Sequence, residues 1–506
     1  MKETIREIID ISSKEYAQLD AIRYLKNGEV VSKTYSELGA DVRRLAGAIS
    51  GMGLSRGHVA ITGKSSYFWG SAYLGAVCGG FVGMPIDALL SDEEALTLLQ
   101  RGEAECLFAD PEKAGLIALV REKAPEVRVI LLTDEETEGE SWKSLAAPED
   151  YDYEAVEVYK EDLATIMFTS GTTGVSKGVM LSQENLAADV VGMYFPIPAG
   201  TRLLSVLPIH HAFCLTVDWL KVLELGAVCC INDSLGHMLN NMKTFSPEYI
   251  LMVPLMIETI SKRLKKIRIP LPKKMIAKEA FGGSLKVIIV GGARLDPYYV
   301  EEFEKYGIEL WQGCGMTETS PVISFNGFRG KRTGSCGRPL ENIEVRIRDE
   351  EIQVKGPIVM QGYYKMPEET AEALDAEGWL HTGDLGRLDE DGFLYITGRR
   401  KNLIILANGE NVSPEDLEGK LSLLPVIGEV VVMGSDKGLT AHIYPDPDVT
   451  RKWNEEKIRK EVDAAVQAFN RKEPPYRRIQ ITKLRSEPFE KSTTRKIKRG
   501  SIEADS

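Results

Sequence analysis

The 506-residue sequence contains seven cysteines but no Cys-x-x-Cys pair. Structural zinc sites are typically built from closely spaced thiols, and disulfide frameworks need an even set of cysteines in a small secreted chain. An odd number scattered through a large chain therefore predicts reduced thiols. It argues against both a zinc site and a disulfide scaffold.

The sequence also has little that would cross a membrane. The only long uncharged stretch lies between Lys64 and Asp87, and it contains five glycines and Pro85. A spanning helix needs about 20 apolar residues, but so many helix breakers favour a buried helix followed by a strand that ends near Ile86. The first residues lack the apolar core of a secretory signal, so we expect a cytoplasmic protein without a transmembrane segment.

Acidic residues outnumber basic residues, so the formal net charge is −13. That balance argues against a nucleic-acid partner. Hydrophobic residues at 43% and charged residues at 27% are ordinary for a globular protein. A chain of this length exceeds one hydrophobic core, so we expect a large layered body and at least one further domain.

Apolar, β-rich runs alternate with helical stretches along the first two thirds of the chain. The clearest run covers residues 285–290 and leads directly into Gly291 and Gly292, and similar runs lie at 129–133 and 249–254. This alternation predicts an α/β fold with several mostly parallel sheets that are covered on both faces.

The pattern changes at about residue 340 to short strands separated by turn signals. We therefore predict a β-rich subdomain at about 340–398 within a large N-terminal domain, 1–398. The remaining residues, 399–506, have the usual size of a compact domain, which we expect to be of the α+β class.

The segment 166–178 mixes hydroxyl side chains, glycines and one lysine. Glycine lets backbone N–H groups wrap an anion, while hydroxyl and ammonium groups add further donors to phosphate oxygens. The spacing is not that of a Walker A loop, and a plain surface turn is the alternative. The candidate phosphate-binding residues are Thr169, Ser170, Gly171, Thr172, Thr173, Gly174 and Lys177.

This whole string resembles the signature of the adenylate-forming superfamily, which includes acyl-CoA synthetases, the adenylation domains of peptide synthetases and beetle luciferase. Ser176 stands where that signature commonly has proline. Further motifs follow in the order of the family and cover nearly the whole chain. The resemblance implies a large adenylation domain, a mobile C-terminal domain, and the use of ATP and Mg²⁺.

Two of these motifs lie in the middle of the chain. Residues 207–213 resemble the aromatic and histidine segment beside the acyl pocket, which puts His211 at the motif histidine. A lone histidine is otherwise more often a packed or surface residue. Gly291, Gly292 and Ala293 resemble the loop that runs along the adenine.

The next motif resembles the family segment Tyr-Gly-x-Thr-Glu. The resemblance implies that Thr317 donates to the α-phosphate and that Glu318 holds Mg²⁺, for which a carboxylate is the expected ligand. Cys314 replaces the aromatic residue that stacks on adenine, although a polarisable sulfur can still pack there. The matched residues are Gln312, Gly313, Cys314, Gly315, Met316, Thr317 and Glu318.

The segment 379–386 resembles the Thr-Gly-Asp motif of the family. Asp384 is suited to accept hydrogen bonds from both ribose hydroxyls, and a buried salt bridge is the alternative. Arg399 matches the arginine that contacts the ribose, and Lys401 matches the hinge between the domains. A solvated basic turn is the other interpretation of this pair.

The last motif lies at 490–499, where the register places Lys496 at the position of the catalytic lysine. Glu490 and Arg495 replace the proline and the glycine of that motif. The Thr-Thr-Arg-Lys variant found here is similar to the one in bacterial long-chain fatty acyl-CoA synthetases.

The resemblance implies an enzyme that activates a carboxylic acid as its acyl-adenylate and transfers the acyl group to the thiol of coenzyme A. Ala212, Phe213 and Cys214 lack the aspartate that amino-acid-activating relatives place there. An apolar pocket drawn from Phe213, 252–256 and 322–323 favours a medium- or long-chain fatty acid.

Two alternatives stay open. A ligase of the same fold can load an acyl carrier protein instead of CoA, and a non-catalytic AMP-binding sensor is favoured only by Cys314 and Arg495. Basic residues cluster at 262–278 and 471–499. They are either solvated faces or sites for the CoA 3′-phosphate, an acidic carrier protein or an anionic membrane surface.

Overall fold

The computed structural model describes residues 2–169, 176–267, 270–406, 410–435, 438–491, 497–499 and 502. Within these ranges, helices cover two large and mostly parallel sheets, and a smaller α/β unit follows at the C-terminus. The predicted fold class is confirmed.

The helices begin where the sequence supplies side-chain caps. Thr34 and Ser91 each accept a hydrogen bond from a backbone N–H three residues ahead, and the glutamate found there bonds back to the cap. The α-helices are α1 (Ile5–Glu15), α2 (Tyr35–Ser50), α3 (Tyr67–Cys78), α4 (Asp92–Arg101), α5 (Ala114–Lys123), α6 (Gln183–Gly192), α7 (Lys221–Glu224), α8 (Met238–Phe245), α9 (Pro254–Lys266), α10 (Lys273–Ala280), α11 (Pro297–Glu304), α12 (Pro367–Ala373), α13 (Pro414–Ser422), α14 (Pro447–Thr450) and α15 (Glu455–Asn470).

Short 3₁₀ turns and one π-helical turn connect several of these elements. The 3₁₀ turns are Pro111–Lys113, Tyr153–Ala155, Leu235–His237, Thr317–Thr319, Arg400–Asn402 and Pro475–Arg477, and the π-helical turn is Cys214–Leu220. The strands are β1 (Asp20–Lys26), β2 (Glu29–Thr34), β3 (His58–Thr62), β4 (Val82–Ile86), β5 (Cys106–Ala109), β6 (Arg128–Leu131), β7 (Leu163–Thr169), β8 (Lys177–Ser182), β9 (Arg202–Ser205), β10 (Val228–Ile231), β11 (Tyr249–Met252), β12 (Val287–Val290), β13 (Glu309–Gly315), β14 (Val322–Asn326), β15 (Arg338–Pro339), β16 (Glu344–Arg348), β17 (Glu351–Lys355), β18 (Gly362–Tyr363), β19 (Leu380–Leu388), β20 (Leu394–Arg399), β21 (Ile404–Ile405), β22 (Asn411–Val412), β23 (Ile427–Ser435), β24 (Gly438–Pro445) and β25 (Ile479–Leu484).

The larger sheet has the order β15-β14-β13-β12-β11-β9-β10-β1-β2 in the described residues. Its central strands pair in parallel from β1 through β10, β9, β11 and β12 to β13. Every residue of β11 and β12 is buried, as expected for parallel strands covered on both faces.

The second sheet has the order β18-β8-β7-β4-β3-β5-β6 and is parallel from β7 to β6. The long uncharged stretch forms α3 and then β4, and nearly all of its side chains are buried. The predicted buried helix and strand are therefore confirmed. In the described part of the chain, every helix falls short of the length and apolar character that a membrane crossing requires.

The strands β16, β17, β19 and β20 form an antiparallel sheet. After Arg399 the chain enters a unit in which α13 and α15 pack on the sheet β23-β24-β25 around a core of its own. Among the described residues, three ion pairs join the part of this unit beyond Asn402 to the body, Lys262–Asp446 at 2.8 Å, Lys266–Asp448 at 2.6 Å and Arg294–Asp416 at 3.0 Å. Part of the basic cluster at 262–278 therefore serves the contact between the two units.

Candidate active site

One cavity of about 1860 Å³ opens at the carboxyl ends of the parallel strands of the larger sheet. The strands β9, β11 and β12 end at this edge, and the residue after each of them, Val206, Val253 and Gly291, lines the cavity. Ligands of open α/β sheets bind outside the carboxyl ends of the strands, so the topology places a binding site here.

The predicted phosphate segment begins on a hairpin at the edge of this cavity. Thr169 ends β7 and Lys177 begins β8, and the two residues face each other across the antiparallel ladder. The Thr169 hydroxyl donates to the Lys177 carbonyl at 3.5 Å, and Thr169 lines the cavity. Five further predicted residues lie outside the described residues: Ser170, Gly171, Thr172, Thr173 and Gly174.

Tyr363 connects two of the predicted motifs, although the sequence analysis did not single it out. Its hydroxyl donates to Glu318 at 2.9 Å, and the Lys177 ammonium lies 4.6 Å from the centre of its ring. Burial, together with the negative charge of Glu318, raises the pKa of Tyr363. Its hydroxyl is therefore a proton-bearing donor at neutral pH. From sequence, its Gly-Tyr-Tyr segment is indistinguishable from a pair of core aromatics.

Glu318 lies on the 3₁₀ turn that follows β13. The residues just before it, from Gly313 to Thr317, line the cavity. The described residues contain no group of three or more His, Cys, Asp or Glu side chains placed to hold a metal ion. A single carboxylate nevertheless suits Mg²⁺, which keeps several waters and takes its other ligands from substrate phosphates. The donor set at Glu318 fits the expected ion.

Gln312, Glu318 and Ala293 are not among the residues that line the cavity, in contrast to residues 313–317 and 291–292 of the same motifs. The Gln312 side chain is buried, and its amide lies 4.0 Å from the sulfur of Cys336. Ala293 is exposed beyond Gly291 and Gly292, which both line the cavity.

The two predicted ribose residues meet each other. Asp384 on β19 and Arg399 on β20 are paired across the ladder, and the Arg399 Nε donates to an Asp384 oxygen at 2.6 Å. The salt bridge considered as the alternative thus exists, and it joins the same two side chains. Lys401 follows within two residues, and its pKa is lowered by burial and by the positive charge of Arg399.

Phe213 marks the start of the apolar end of the cavity. Its ring lies against Gly291, where an added Cβ would approach the ring to 2.6 Å. Any larger residue at 291 would displace the aromatic wall. Val322 also lines this end. Met252 and Ile323, which were predicted to do so, are buried in separate apolar cores, because successive strand residues point to opposite faces.

The helices α9 and α10 supply the rest of the apolar end, and the sequence analysis identified only the first residues of α9. The lining residues from these helices and the turns after them are Leu255, Met256, Thr259, Ile260, Arg263, Leu264, Ile267, Ala280 and Phe281. On α9 they recur at a spacing of three and four, which is the signature of one helix face. This periodicity could have predicted from the sequence that one face of α9 is buried. It does not show whether that face packs against a core or lines a cavity.

Two buried polar side chains, Cys214 and Asp218, lie close together in the π-helical turn that follows Phe213. The Cys214 thiol lies 3.1 Å from the Leu207 carbonyl and 3.7 Å from an Asp218 oxygen. Burial raises the pKa of Asp218 to about 8, so this group is an uncharged acid at neutral pH. His211 lines the cavity, and its ring centre is 4.2 Å from that of His210.

Lys496 lies outside the described residues. The described residues that flank it on both sides face the cavity, namely Glu490, Lys491, Ile497 and Lys498. A β-bridge joins Lys491 to Ile497, and Glu429 accepts hydrogen bonds from the Lys491 ammonium and the Phe489 N–H. These contacts connect the described residues on both sides of Lys496 to β23.

Comparisons with known proteins agree with this architecture. Residues 10–364 match the AMP-binding enzyme family, and residues 401–505 match the AMP-binding enzyme C-terminal domain. The long-chain-fatty-acid–CoA ligase FadD15 of Mycobacterium bovis is 28% identical over 485 residues, which cover 85% of this chain and 80% of that protein.

The chloroplastic long-chain-fatty-acid–[acyl-carrier-protein] ligase AEE15 of Arabidopsis thaliana is also 28% identical, over 84% of this chain and 74% of that protein. Among solved structures, ATP-bound MatB from Rhodopseudomonas palustris superposes with a TM-score of 0.80 at 26% identity, covering 100% of this chain and 99% of that one. The chain belongs to the AMP-binding enzyme family, the adenylate-forming superfamily that its motifs resemble.

Proposed function

We propose that this protein activates a long-chain fatty acid with ATP and passes the acyl group to the thiol of CoA. The broader class, an AMP-forming acid–thiol ligase, rests on family membership and on the activities named for its relatives. The observation that carries the proposal is the cavity, which joins the nucleotide motifs at one end to an apolar region lined by α9 and α10 at the other.

In the first step the fatty carboxylate attacks the α-phosphate of ATP, and pyrophosphate leaves. Negative charge accumulates around the phosphorus, so preorganised positive charge and hydrogen-bond donors lower the barrier. Lys496, Lys177 and the Thr317 hydroxyl are assigned these roles. Glu318 would hold Mg²⁺, which supplies further positive charge to the phosphates. Tyr363 keeps the Glu318 carboxylate oriented through its 2.9 Å hydrogen bond.

Asp384 and Arg399 are assigned to the ribose. The 2.6 Å contact between them fixes the Asp384 carboxylate, which can accept from both ribose hydroxyls. The adenine would lie along Gly291 and Gly292, with Cys314 on its other side. All three of these residues line the cavity.

In the second step the CoA thiol attacks the acyl-adenylate and releases AMP. This step needs no lysine at the phosphate, so the C-terminal domain can rotate about Lys401 and remove Lys496 from the site. Such a rotation would have to break the three ion pairs that join the C-terminal unit to the body, at Lys262, Lys266 and Arg294.

The apolar end supports a hydrocarbon chain as substrate. Cys214 occupies the place where an amino-acid ammonium would need a carboxylate, and its thiol is directed at the Leu207 carbonyl. The nearby Asp218 is uncharged at neutral pH because its pKa is raised to about 8. A cationic substrate head would therefore find no anion on this wall.

A pyrophosphate-release assay tests the proposal with fatty acids of short, medium and long chain and with amino acids. We expect release with long-chain acids, and acyl-CoA as the product when CoA is added. The carrier-protein ligase AEE15 makes holo-acyl carrier protein the competing acceptor. Acyl transfer to that protein but not to CoA would replace the proposed acceptor, and release with amino acids alone would overturn the proposed acid.

A further inference from the structure

Cys314 and Cys336 meet at the nucleotide end of the cavity. Cys314 on β13 is paired with Ser324 on β14, and the Ser324 hydroxyl donates to the Cys336 carbonyl at 3.0 Å. The chain at Cys336 therefore crosses over the face of the sheet on which Cys314 lies. Gln312, two residues before Cys314 on the same face, places its amide 4.0 Å from the Cys336 sulfur. The two thiols are close enough that each shifts the pKa of the other.

Cys314 is the most exposed of the seven cysteines, and it lines the cavity. Cys336 is buried, with 4% of its surface exposed, and is not among the lining residues. Cys214 also lines the cavity but has no exposed surface. Hydrogen bonding with Cys336 and burial raise the pKa of Cys314, while hydrogen bonding with Cys314 lowers the pKa of Cys336. Because the thiolate is the nucleophilic form of cysteine, Cys336 is suited to attack Cys314 once that more exposed sulfur has been oxidised. The remaining cysteines are fully buried: Cys78, Cys106, Cys214, Cys229 and Cys230.

We propose that Cys314 and Cys336 form a reversible disulfide when a hydroperoxide enters the cavity, and that this bond weakens ATP binding. Hydrogen peroxide first oxidises the Cys314 sulfur to a sulfenic acid and leaves as one water. The Cys336 sulfur then attacks the Cys314 sulfur, the S–S bond forms, and the hydroxyl leaves with a proton as a second water. Two thiols thus lose two electrons and two protons, and one peroxide is reduced to two waters.

The bond acts on the nucleotide through β13. A covalent S–S bond is shorter than any non-bonded contact between two thiols, so its formation must draw Cys314 towards Cys336 and away from the cavity. Met316 and Thr317 follow on the same strand end and line the cavity. Asp384 and Arg399 lie close enough for their charges to act on the Cys314 thiol. The effect on ATP rests on the proposed function, whereas formation of the bond does not.

The test treats the full-length protein with hydrogen peroxide, alkylates the remaining thiols, and maps the peptides by mass spectrometry. We expect a linked peptide that contains Cys314 and Cys336. Calorimetric titration of a second portion of the oxidised protein, taken before alkylation, should show a Kd for ATP about tenfold higher, a loss of about 1.4 kcal/mol. Dithiothreitol should restore the original Kd, which separates the disulfide from methionine oxidation.

Two variants complete the design. Cys336→Ser should bind ATP before oxidation as the reduced wild type does and should give no linked peptide after oxidation, while Cys106→Ser should behave like the wild type throughout. The absence of a linked peptide in the oxidised wild type would overturn the proposal. A linked peptide with an unchanged Kd would overturn its effect on ATP. Failure of the reduced wild type to bind ATP would instead refute the proposed function, because the peptide map does not depend on it.

Discussion

The two ends of the cavity are built on different principles. At the nucleotide end, polar side chains sit on antiparallel ladders that pair them with one another, as Thr169 is paired with Lys177 and Asp384 with Arg399. At the acyl end, apolar side chains come from one face of α9, from α10 and from a π-helical turn. Strand register fixes the first group, while side-chain packing alone shapes the second. The comparison implies that chemistry resides at one end and substrate choice at the other.

Lys496→Ala should give the largest effect and should affect only one half-reaction. Removing the cation should slow acyl-adenylate formation by at least about 10²- to 10³-fold, the loss typical of one electrostatic group in a transition state. Formation of acyl-CoA from supplied acyl-AMP should continue. Pyrophosphate exchange and acyl-CoA synthesis measure the two rates on one preparation.

Lys483→Ala removes an exposed lysine from β25 of the same domain and serves as the matched control. It should change neither rate. Equal losses in the two half-reactions of Lys496→Ala would contradict the assignment of this lysine.

Asp384→Ala should raise the KM for ATP while leaving the KM for the fatty acid nearly unchanged. A hydrogen bond to a charged group contributes about 1.5–3 kcal/mol, so we expect a rise of roughly tenfold to a hundredfold. Steady-state kinetics with each substrate varied in turn would measure the split, and circular dichroism would check the fold. An equal change in both KM values would show that Asp384 affects fatty-acid binding as much as ATP binding, and that the two ends of the cavity do not act independently.

The sequence offered specific candidates for the nucleotide end because these residues occur in short motifs tied to strand ends, and their roles remain predictions. Asp384 and Arg399 were both named, and the structure pairs them at 2.6 Å. Tyr363 was missed because its role depends on a contact with Glu318, far away in sequence. Such a contact leaves no local pattern.

The acyl end was predicted less completely, for a physical reason. Helical periodicity on α9 shows that one face avoids water, but a core and an apolar cavity satisfy that requirement equally. Met252 was predicted to line the pocket as part of the apolar range 252–256, yet it is buried in a core and does not line the cavity. Whether Met252 or Val253 faces the cavity depends on the alternation of side chains along β11. Predicting it requires the exact residue at which β11 ends, and a sequence pattern locates strand ends poorly.

Ala280→Trp should shift chain-length preference without disturbing the nucleotide end. Ala280 ends α10 and lines the apolar end of the cavity, so a large ring there would occupy space that a long chain needs. We expect kcat/KM to fall about tenfold or more for long-chain acids and to change little for medium-chain acids, since lost methylene burial costs about 0.8 kcal/mol per CH₂. The KM for ATP should stay constant. A uniform loss over all chain lengths would argue against a chain-length role for this wall.

Asp218→Asn should have the smallest effect on activity, and it tests whether the buried carboxyl group behind Cys214 is uncharged. Burial raises the Asp218 pKa from 3.8 to about 8 in the folded protein. Because the folded state then holds a proton that the unfolded state has released, stability should fall as pH rises from about 4 to 8. The slope is at most about 1.4 kcal/mol per pH unit. Asparagine keeps the shape and the acceptor for Cys214 but does not titrate.

The stability of the Asp218→Asn variant relative to the wild type should therefore increase between about pH 5 and pH 8. Denaturant unfolding of both proteins at several pH values measures this difference, and taking the difference cancels the titration of the groups that they share. Fatty-acid activation at neutral pH should stay near the wild-type rate, since the wild-type group is already uncharged there. A difference that does not change with pH would mean that Asp218 is ionised in the folded state. An anion would then lie behind Cys214, and the argument that this wall offers no counter-charge to a cationic substrate would fail.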